Sequence, residues 1–402
     1  MSRPTIRTLT VPVLAAAVWG ACGAPAVAQD TDPPAGVVRM NGEPGPALSG
    51  AAIGNMTYHG GPVQHIQKIF TIFWIPGGSF PAGYQSTINQ FVQDLNGTPY
   101  YAIASQYGDG TGTISPTLVY GGTWLDTTNA FPHTALGYGD LLAEVNRAKA
   151  ANGWTSDANS YFQVYTPDGI TSSAGGGICG LHWFANPAIG QILFPQTGCF
   201  PGTPYPNNST ADAAINVSAH EILETVTDPI GNAWYFSNTA GEIGDLCGWT
   251  FGARGVNGAN VTLNGHAYVV QQEWSNAVSG CDLQYAAPTL RMTANGSDGP
   301  LTLPANSSLQ LALTANGGTP GFSNPSDFYV GVSTPFGPLF LGPSGFTTAV
   351  TILYHGPLPS FGPTALFAIP NASALPTGSY IWFAIATGAK GTVFDTVQTN
   401  VP

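Results

Sequence analysis

The stretch from Asp212 to Pro229 constrains the fold of this chain more than any other. Its apolar spacing predicts a helix over 212–227, with Asp212 as the cap and Pro229 as the stop. Ile222, Leu223 and Val226 give that helix a face that belongs in a core. Yet the same helix carries His220, Glu221 and Glu224. Side chains four residues apart stand one above the other on a helix face, so His220 and Glu224 are neighbours. Buried charge is costly unless it is paired. The chain must therefore sink this helix into its core and supply polar partners, or a cation, for the patch.

Composition sharpens the point. Only 7% of the 402 residues are charged, against about 25% in an average soluble domain. The chain holds 7 His and 6 Glu, so a His-Glu-x-x-Glu run is expected by chance in about one of 600 such chains. A third Glu follows at Glu242, so half of all the Glu lie between 221 and 242. That clustering favours a site over a solvated face. The net charge of −12 and the lack of any Lys/Arg run exclude a basic nucleic-acid binder. Heptads are absent, which excludes a coiled coil. With 52 Gly and 34 Pro, the chain is turn-rich, and an α+β or largely β fold is expected.

His220 and Glu224 have the spacing to grip one metal ion, with Glu221 one step round and close enough to act on water. This is the geometry of the zincin His-Glu-x-x-His helix, with Glu224 in place of the second His. Glu221 is then the general base. Glu242 and Asp245 are the leading candidates for a further ligand. Asp228 is nearer in sequence, and either joins the site or shapes the turn with Pro229. Zinc is the expected ion, and the carboxylates also suit calcium or manganese. His182 is either a site residue, on metal or substrate, or a hydrogen-bonded core histidine. The opposing reading of the whole patch is a helical ion pair with Glu221 solvated.

Residues 1–28 read as a signal peptide. Arg3 and Arg7 precede a short apolar core from Val11 to Val18, and Ala26-Val27-Ala28 is a cleavage site before Gln29. No later run is long enough to span a membrane, so none is expected. Cys179, Cys199, Cys247 and Cys281 remain, an even number in an exported chain. Four cysteines allow three pairings. Proximity in sequence favours Cys179–Cys199 and Cys247–Cys281.

Residues 29–57 are rich in Pro, Gly and Ala and are expected to be a flexible leader. Buried-strand character at Lys68–Ile75, helical spacing at Ser86–Leu95 and Gly139–Ala151, and alternation at Tyr161–Tyr165 predict a sheet with helices packed on it. After Ala286-Ala287-Pro288 the character changes. Residues 289–402 hold short strand-like runs at Leu309–Leu313, Phe328–Val332, Ala349–Tyr354 and Tyr380–Ile385, the pattern of an immunoglobulin-like β-sandwich. The expected architecture is thus a zincin-like α+β domain, 58–286, with a mixed sheet and an active-site helix, followed by an all-β accessory domain, 289–402.

Several segments carry a family resemblance. They are His59-Gly60-Gly61-Pro62-Val63, Phe73-Trp74-Ile75-Pro76 and Cys179-Gly180-Leu181-His182. The block His220-Glu221, Asp228-Pro229, Ala233-Trp234-Tyr235 and Glu242-Ile243-Gly244-Asp245-Leu246-Cys247 is the fullest match. Val269 to Trp274 and Cys281 follow it. Over roughly 58–285 the chain resembles the EXORDIUM-like, phosphate-induced protein 1 family, in the branch that reads His-Glu-x-x-Glu. The resemblance implies secretion. Plant members are associated with the cell wall and growth promotion, and no biochemical activity comes with the resemblance. Other members lack His-Glu-x-x-Glu, so the common fold cannot require a metal. In the matched block, Asp228 and Tyr235 join His182 as candidates for substrate contact or for support of the ligands.

Two functions compete. One is a secreted metallopeptidase acting on an extracellular protein or peptide. The other is a non-catalytic extracellular protein that binds a cell-surface glycan or another surface partner, with the polar cluster holding a structural ion or a hydrogen-bond network.

Overall fold

The apolar run after Gln67 becomes a central strand because both of its faces are covered. The computed structural model describes residues 32, 34–41, 54–237, 241–318, 326–388 and 391–402. The expected signal peptide, 1–28, lies outside them. The first half holds β1 (Ala35–Arg39), β2 (Lys68–Trp74), α1 (Tyr84–Asp94), β3 (Val119–Asp126) and α2 (Tyr138–Asn152). There follow β4 (Ser160–Tyr165), β5 (Ile178–Trp183), β6 (Ala188–Ile192) and α3 (Ser209–Thr227). One six-stranded sheet takes the order β1-β5-β6-β4-β2-β3. Strands β2, β3, β4 and β6 run parallel, β5 is antiparallel to β6, and β1 is antiparallel to β5.

Strand periodicity sorts the side chains. Ile69, Phe73, Tyr161 and Tyr165 share a core with Ile88, Phe91 and Val92 of α1 and with Ile215, Ile222, Leu223 and Val226 of α3. Phe70, Ile72, Trp74, Phe162 and Val164 face the other way, onto Leu141, Val145 and Ala148 of α2. The sheet with helices packed on it is therefore present, with α3 against the face that carries Tyr161, Gln163 and Tyr165. Gln163 donates to the Ser218 carbonyl and accepts from the Ser218 hydroxyl, which ties strand to helix.

Three expectations are corrected. The leader at 29–57 contains β1, which pairs with β5 along its length, Gly36 opposite His182. The open edge of β5 offers unpaired backbone groups, and a Gly- and Val-containing strand satisfies them. The cap of α3 is Asn208 rather than Asp212: its side chain accepts from the Ala211 N–H at 2.8 Å. The helix begins one turn earlier, and Asp212 sits buried in its first turn, accepting from the Asn207 N–H and side-chain amide. Third, Ala349–Tyr354 is not a strand. Only Tyr354–Gly356 pairs, with Ser326–Thr334, while Val350 and Ile352 stay exposed.

After residue 288 two largely antiparallel sheets share a separate core. Thr289–Ala294, Leu309–Asn316 and Phe361–Ile369 form one sheet, and Ser326–Thr334, Gly378–Gly388 and Gly391–Val401 are the centre of a larger one. Met292, Leu309, Leu311 and Leu313 meet Val330, Val332, Trp382 and Val397 between them. Among the described residues, the two cores before residue 286 share no residue with this one. A chain ended after Ala286 is therefore expected to remain soluble, form both disulfides and melt cooperatively, as calorimetry would read. Aggregation on expression would show that 289–402 is needed for folding.

Among the described residues, no helix is long and apolar enough to cross a membrane. Of the buried acids away from α3, Glu144 has a carboxyl pushed upward. Glu144 of α2 is fully enclosed, with one oxygen on Arg147 and the other unpartnered. Burial pushes its carboxyl up to about 7, against the pull of Arg147. The folded state thus keeps a proton that the unfolded chain gives up near pH 4.5, so stability falls as pH rises from about 4.5 to 7. The loss expected from this group is of order 1–3 kcal/mol. Glu144→Gln should flatten that part of the stability profile, and an unchanged slope in urea melts would refute the assignment.

Candidate metal centre

The patch on α3 finds its partners. His220, Glu221 and Glu224 are all buried, as are Asp228, Glu242 and Glu273. His182, on β5, points at α3 and is completely enclosed. Its Nδ1 lies 2.8 Å from Glu221 Oε2 and 3.6 Å from Glu224 Oε2, and its Nε2 lies 3.7 Å from Glu242 Oε2. On the other side of Glu224, His220 Nε2 is 2.7 Å from Oε1 and 3.9 Å from Asp245 Oδ1. Among the described residues, two groups have the proximity to hold an ion: His182, Glu221 and Glu224, and His220, Glu224 and Asp245.

The backbone is arranged to let these groups meet. A Cβ on Gly36 of β1 would stand 2.5 Å from both Glu242 Oε2 and His182 Cε1. A Cβ on Gly244 would stand 2.7 Å from His220 Nδ1. Asp245 Oδ2 accepts from the Glu242 N–H at 2.8 Å, closing the short turn that presents both carboxylates. The disulfide Cys247–Cys281 anchors that turn to a hairpin of β7 (Glu273–Ser275) and β8 (Gly280–Asp282). The second disulfide, Cys179–Cys199, joins the start of β5 to the loop that leads into α3. Both pairings are those favoured from the sequence.

Around this centre lies a second layer. Gln271 Nε2 lies 2.8 Å from His220 Nδ1 and donates to the Gly244 carbonyl. This fixes the ring and turns its Nε2 edge toward Glu224 and Asp245. Glu273 Oε1 accepts from the Tyr100 hydroxyl at 3.0 Å. Asp228 Oδ1 accepts from the N–H groups of Asn232 and Ala233, so it shapes the turn after α3 as well as lying in the field of His182. Tyr235 is not brought to the cluster by any described contact; its ring stacks on His59 with centroids 3.6 Å apart. Gln271 and Glu273 were not singled out from the sequence. The clue was the scarcity of Glu: four of the six in the chain stand in this one centre.

Electrostatics follow from crowding. Burial pushes the Glu221 carboxyl up, while the hydrogen bond from His182 pulls it down. Burial and then the Glu224 charge push Glu242 well up, and the same two causes bring Asp245 to about 7. Glu273 is also held well above the carboxylate range by burial. For His220, burial favours the neutral ring, but Glu224 outweighs it and raises the imidazole well above its ordinary value. Among the described residues, no Lys or Arg pairs with any of these carboxylates.

The chain is thus an α+β protein in which one buried helix, one sheet strand and two loop segments assemble a histidine–carboxylate centre. Two proteins of Arabidopsis thaliana are similar to it in sequence. Protein EXORDIUM-like 5 is 25% identical over 282 residues, which is 56% of this chain and 77% of that protein. Protein EXORDIUM-like 3 is 24% identical over 278 residues, 56% of this chain and 82% of that protein. Both similarities support the resemblance to the EXORDIUM-like family. No family model matches. Among solved structures, the crystal structure of an engineered protein aligns at 12% identity with a TM-score of 0.18, covering 83% of this chain and 49% of that one, too weak to inform the fold.

Proposed function

We propose that this is a secreted, metal-dependent hydrolase with a zincin-like centre, acting on extracellular protein or peptide, followed by an immunoglobulin-like sandwich. The observation that supports it is a set of buried polar atoms with no hydrogen-bond partner. These are His220 Nε2 and both oxygens of Glu224, with Glu221 Oε1, His182 Nε2 and Glu242 Oε1 around them. Buried polar atoms are almost always satisfied, so several orphans converging on one point call for an ion. His220 Nε2 and Glu224 Oε1 are 2.7 Å apart, close enough to share one cation as two of its ligands. The nitrogen-and-oxygen donor set fits zinc, and also manganese or calcium.

His220, Glu224 and Asp245 would hold the ion, with Glu242 on the His182 side of the same centre. A divalent cation bound there supplies Lewis acidity that lowers the pKa of water toward about 7. The residues of the chain do the rest. His182 Nδ1 holds Glu221 through Oε2, leaving Oε1 as the free atom for accepting a proton and later passing it to a leaving amine. Gln271 keeps His220 oriented. Secretion accords with the two disulfides, which persist in oxidising compartments.

Burial favours the second reading. His182, Glu221 and Glu224 are fully enclosed, and Asp245, with a side chain 16% exposed, is the most accessible of the ligands. A catalytic ion keeps an open position, whereas a structural one is closed in by protein ligands. A non-catalytic protein would bind its partner elsewhere. A cavity of about 590 Å³ in the C-terminal half, lined by Phe336, Phe346, Phe367, Tyr380 and Trp382, has the size of a ligand pocket and offers ring faces to a glycan or another surface group.

Metal analysis by inductively coupled plasma mass spectrometry tests the centre. At least one divalent ion per chain is expected, removed by a chelator with a fall in Tm. No ion, and no uptake on titration with zinc, manganese or calcium, would overturn the metal reading. An ion without hydrolysis of any peptide library would leave the structural reading.

A further inference from the structure

Glu224 is placed between two sets of ligands rather than at the edge of one. Its Oε1 faces His220 Nε2 and, beyond it, Asp245. Its Oε2 faces His182 Nδ1, which also meets Glu221. Neither oxygen has a hydrogen-bond partner, and the residue is fully buried. The two ion-sized groups therefore share this one carboxylate.

We infer that the centre is binuclear, with Glu224 bridging two divalent cations. One ion sits among His220, Glu224 and Asp245, and the second among His182, Glu221 and Glu224, with Glu242 beside His182; Glu221 would serve that second ion through Oε2, the oxygen facing His182, and keep Oε1 as the basic atom. This deepens the proposed metal centre and rests on it.

Three observations carry the inference. A carboxylate that gives one oxygen to each of two ions spans the roughly 3.5–4 Å spacing of two-metal sites. Orphaned buried atoms occur on both sides: His220 Nε2 on one, His182 Nε2 and Glu242 Oε1 on the other. Charge is the third. Glu221, Glu224, Asp228, Glu242, Asp245 and Glu273 crowd one centre in a chain with nine Lys and Arg, and their described ion pairs are with the two histidines alone. With all six ionised, the state that ligation demands of a carboxylate, one divalent ion offsets two charges and two ions offset four. Removing charge from a low-dielectric interior is the stronger requirement, because unpaired buried ions are so costly.

The test is loading of the full chain, disulfides intact, with manganese(II) alone after chelator stripping. Two manganese ions per chain are expected, with an exchange-coupled electron paramagnetic resonance spectrum in place of the six-line signal of an isolated ion. His182→Gln and Asp245→Asn should each reduce the content to one and abolish the coupling. Glu224→Gln should lose both ions. Saturation of the wild-type chain at one uncoupled ion would overturn the bridge and leave the single-ion centre standing; no binding at all would remove both. Because the coupling is read on the wild-type protein, failure of a variant to fold leaves the test intact.

Discussion

Replacing Glu221 by glutamine is expected to lower peptide hydrolysis by about 10²–10⁴-fold, the usual contribution of a general base. Gln keeps the shape of the side chain and an oxygen that accepts from His182 Nδ1, so the 2.8 Å contact is preserved. What it removes is the basic oxygen at Oε1, the atom with no partner. The ion held by His220, Glu224 and Asp245 should be retained even where the ion on the His182 side is weakened, and metal content of the variant, at least one ion per chain, checks this beside its turnover. Loss of that ion would make Glu221 one of its ligands and refute its role as base. Unchanged turnover would refute the role directly.

The second large effect concerns Cys247–Cys281. Replacing both cysteines by serine is expected to cost about 2–5 kcal/mol, because the bridge closes a loop with a sequence separation of 34. For a domain of this size that is a fall in Tm of roughly 5–15 °C. The effect should not stop at stability. Cys247 closes the short helical turn that begins at Asp245, and Cys281 pairs across its hairpin with Trp274, the neighbour of Glu273. Unlinking them frees two carboxylates of the centre at once, so metal affinity should fall together with Tm. Calorimetry and metal titration of the same variant decide it. A lower Tm with wild-type affinity would show that the bridge stabilises the fold without positioning the site.

These expectations divide according to what the amino-acid sequence already contained. The helix of His220 and Glu224 was legible because its determinants are local. An apolar spacing, a run free of Gly and a terminal Pro229 need no distant partner to be read. The neighbour relation of the two side chains follows from helix geometry alone. The strand at Lys68–Trp74 and the two disulfide pairings were equally local signals. The EXORDIUM-like kinship was also in the sequence, since it rests on short runs of matched residues.

The partners of that helix were decided by the tertiary structure. β1 was hidden in a stretch rich in Gly, Pro and Ala, since its strand character comes from pairing with β5, about 140 residues away, and not from its own residues. The engagement of His182 with Glu221 spans 39 residues and depends on the register that sets β5 against α3. Glu273 arrives from a hairpin still further along and Gln271 from the segment leading into it, and Gly36 matters only because β1 passes over Glu242. Tyr235 shows the converse: it lies in a matched motif, yet the turn shaped by Asp228 carries it to His59. Sequence alone determined that this chain carries a helix with an acidic, histidine-bearing face that must be buried. Only the tertiary structure decided which groups close around that face, because hydrogen bonding and charge act through space, over a few ångströms, between residues that the chain itself holds far apart.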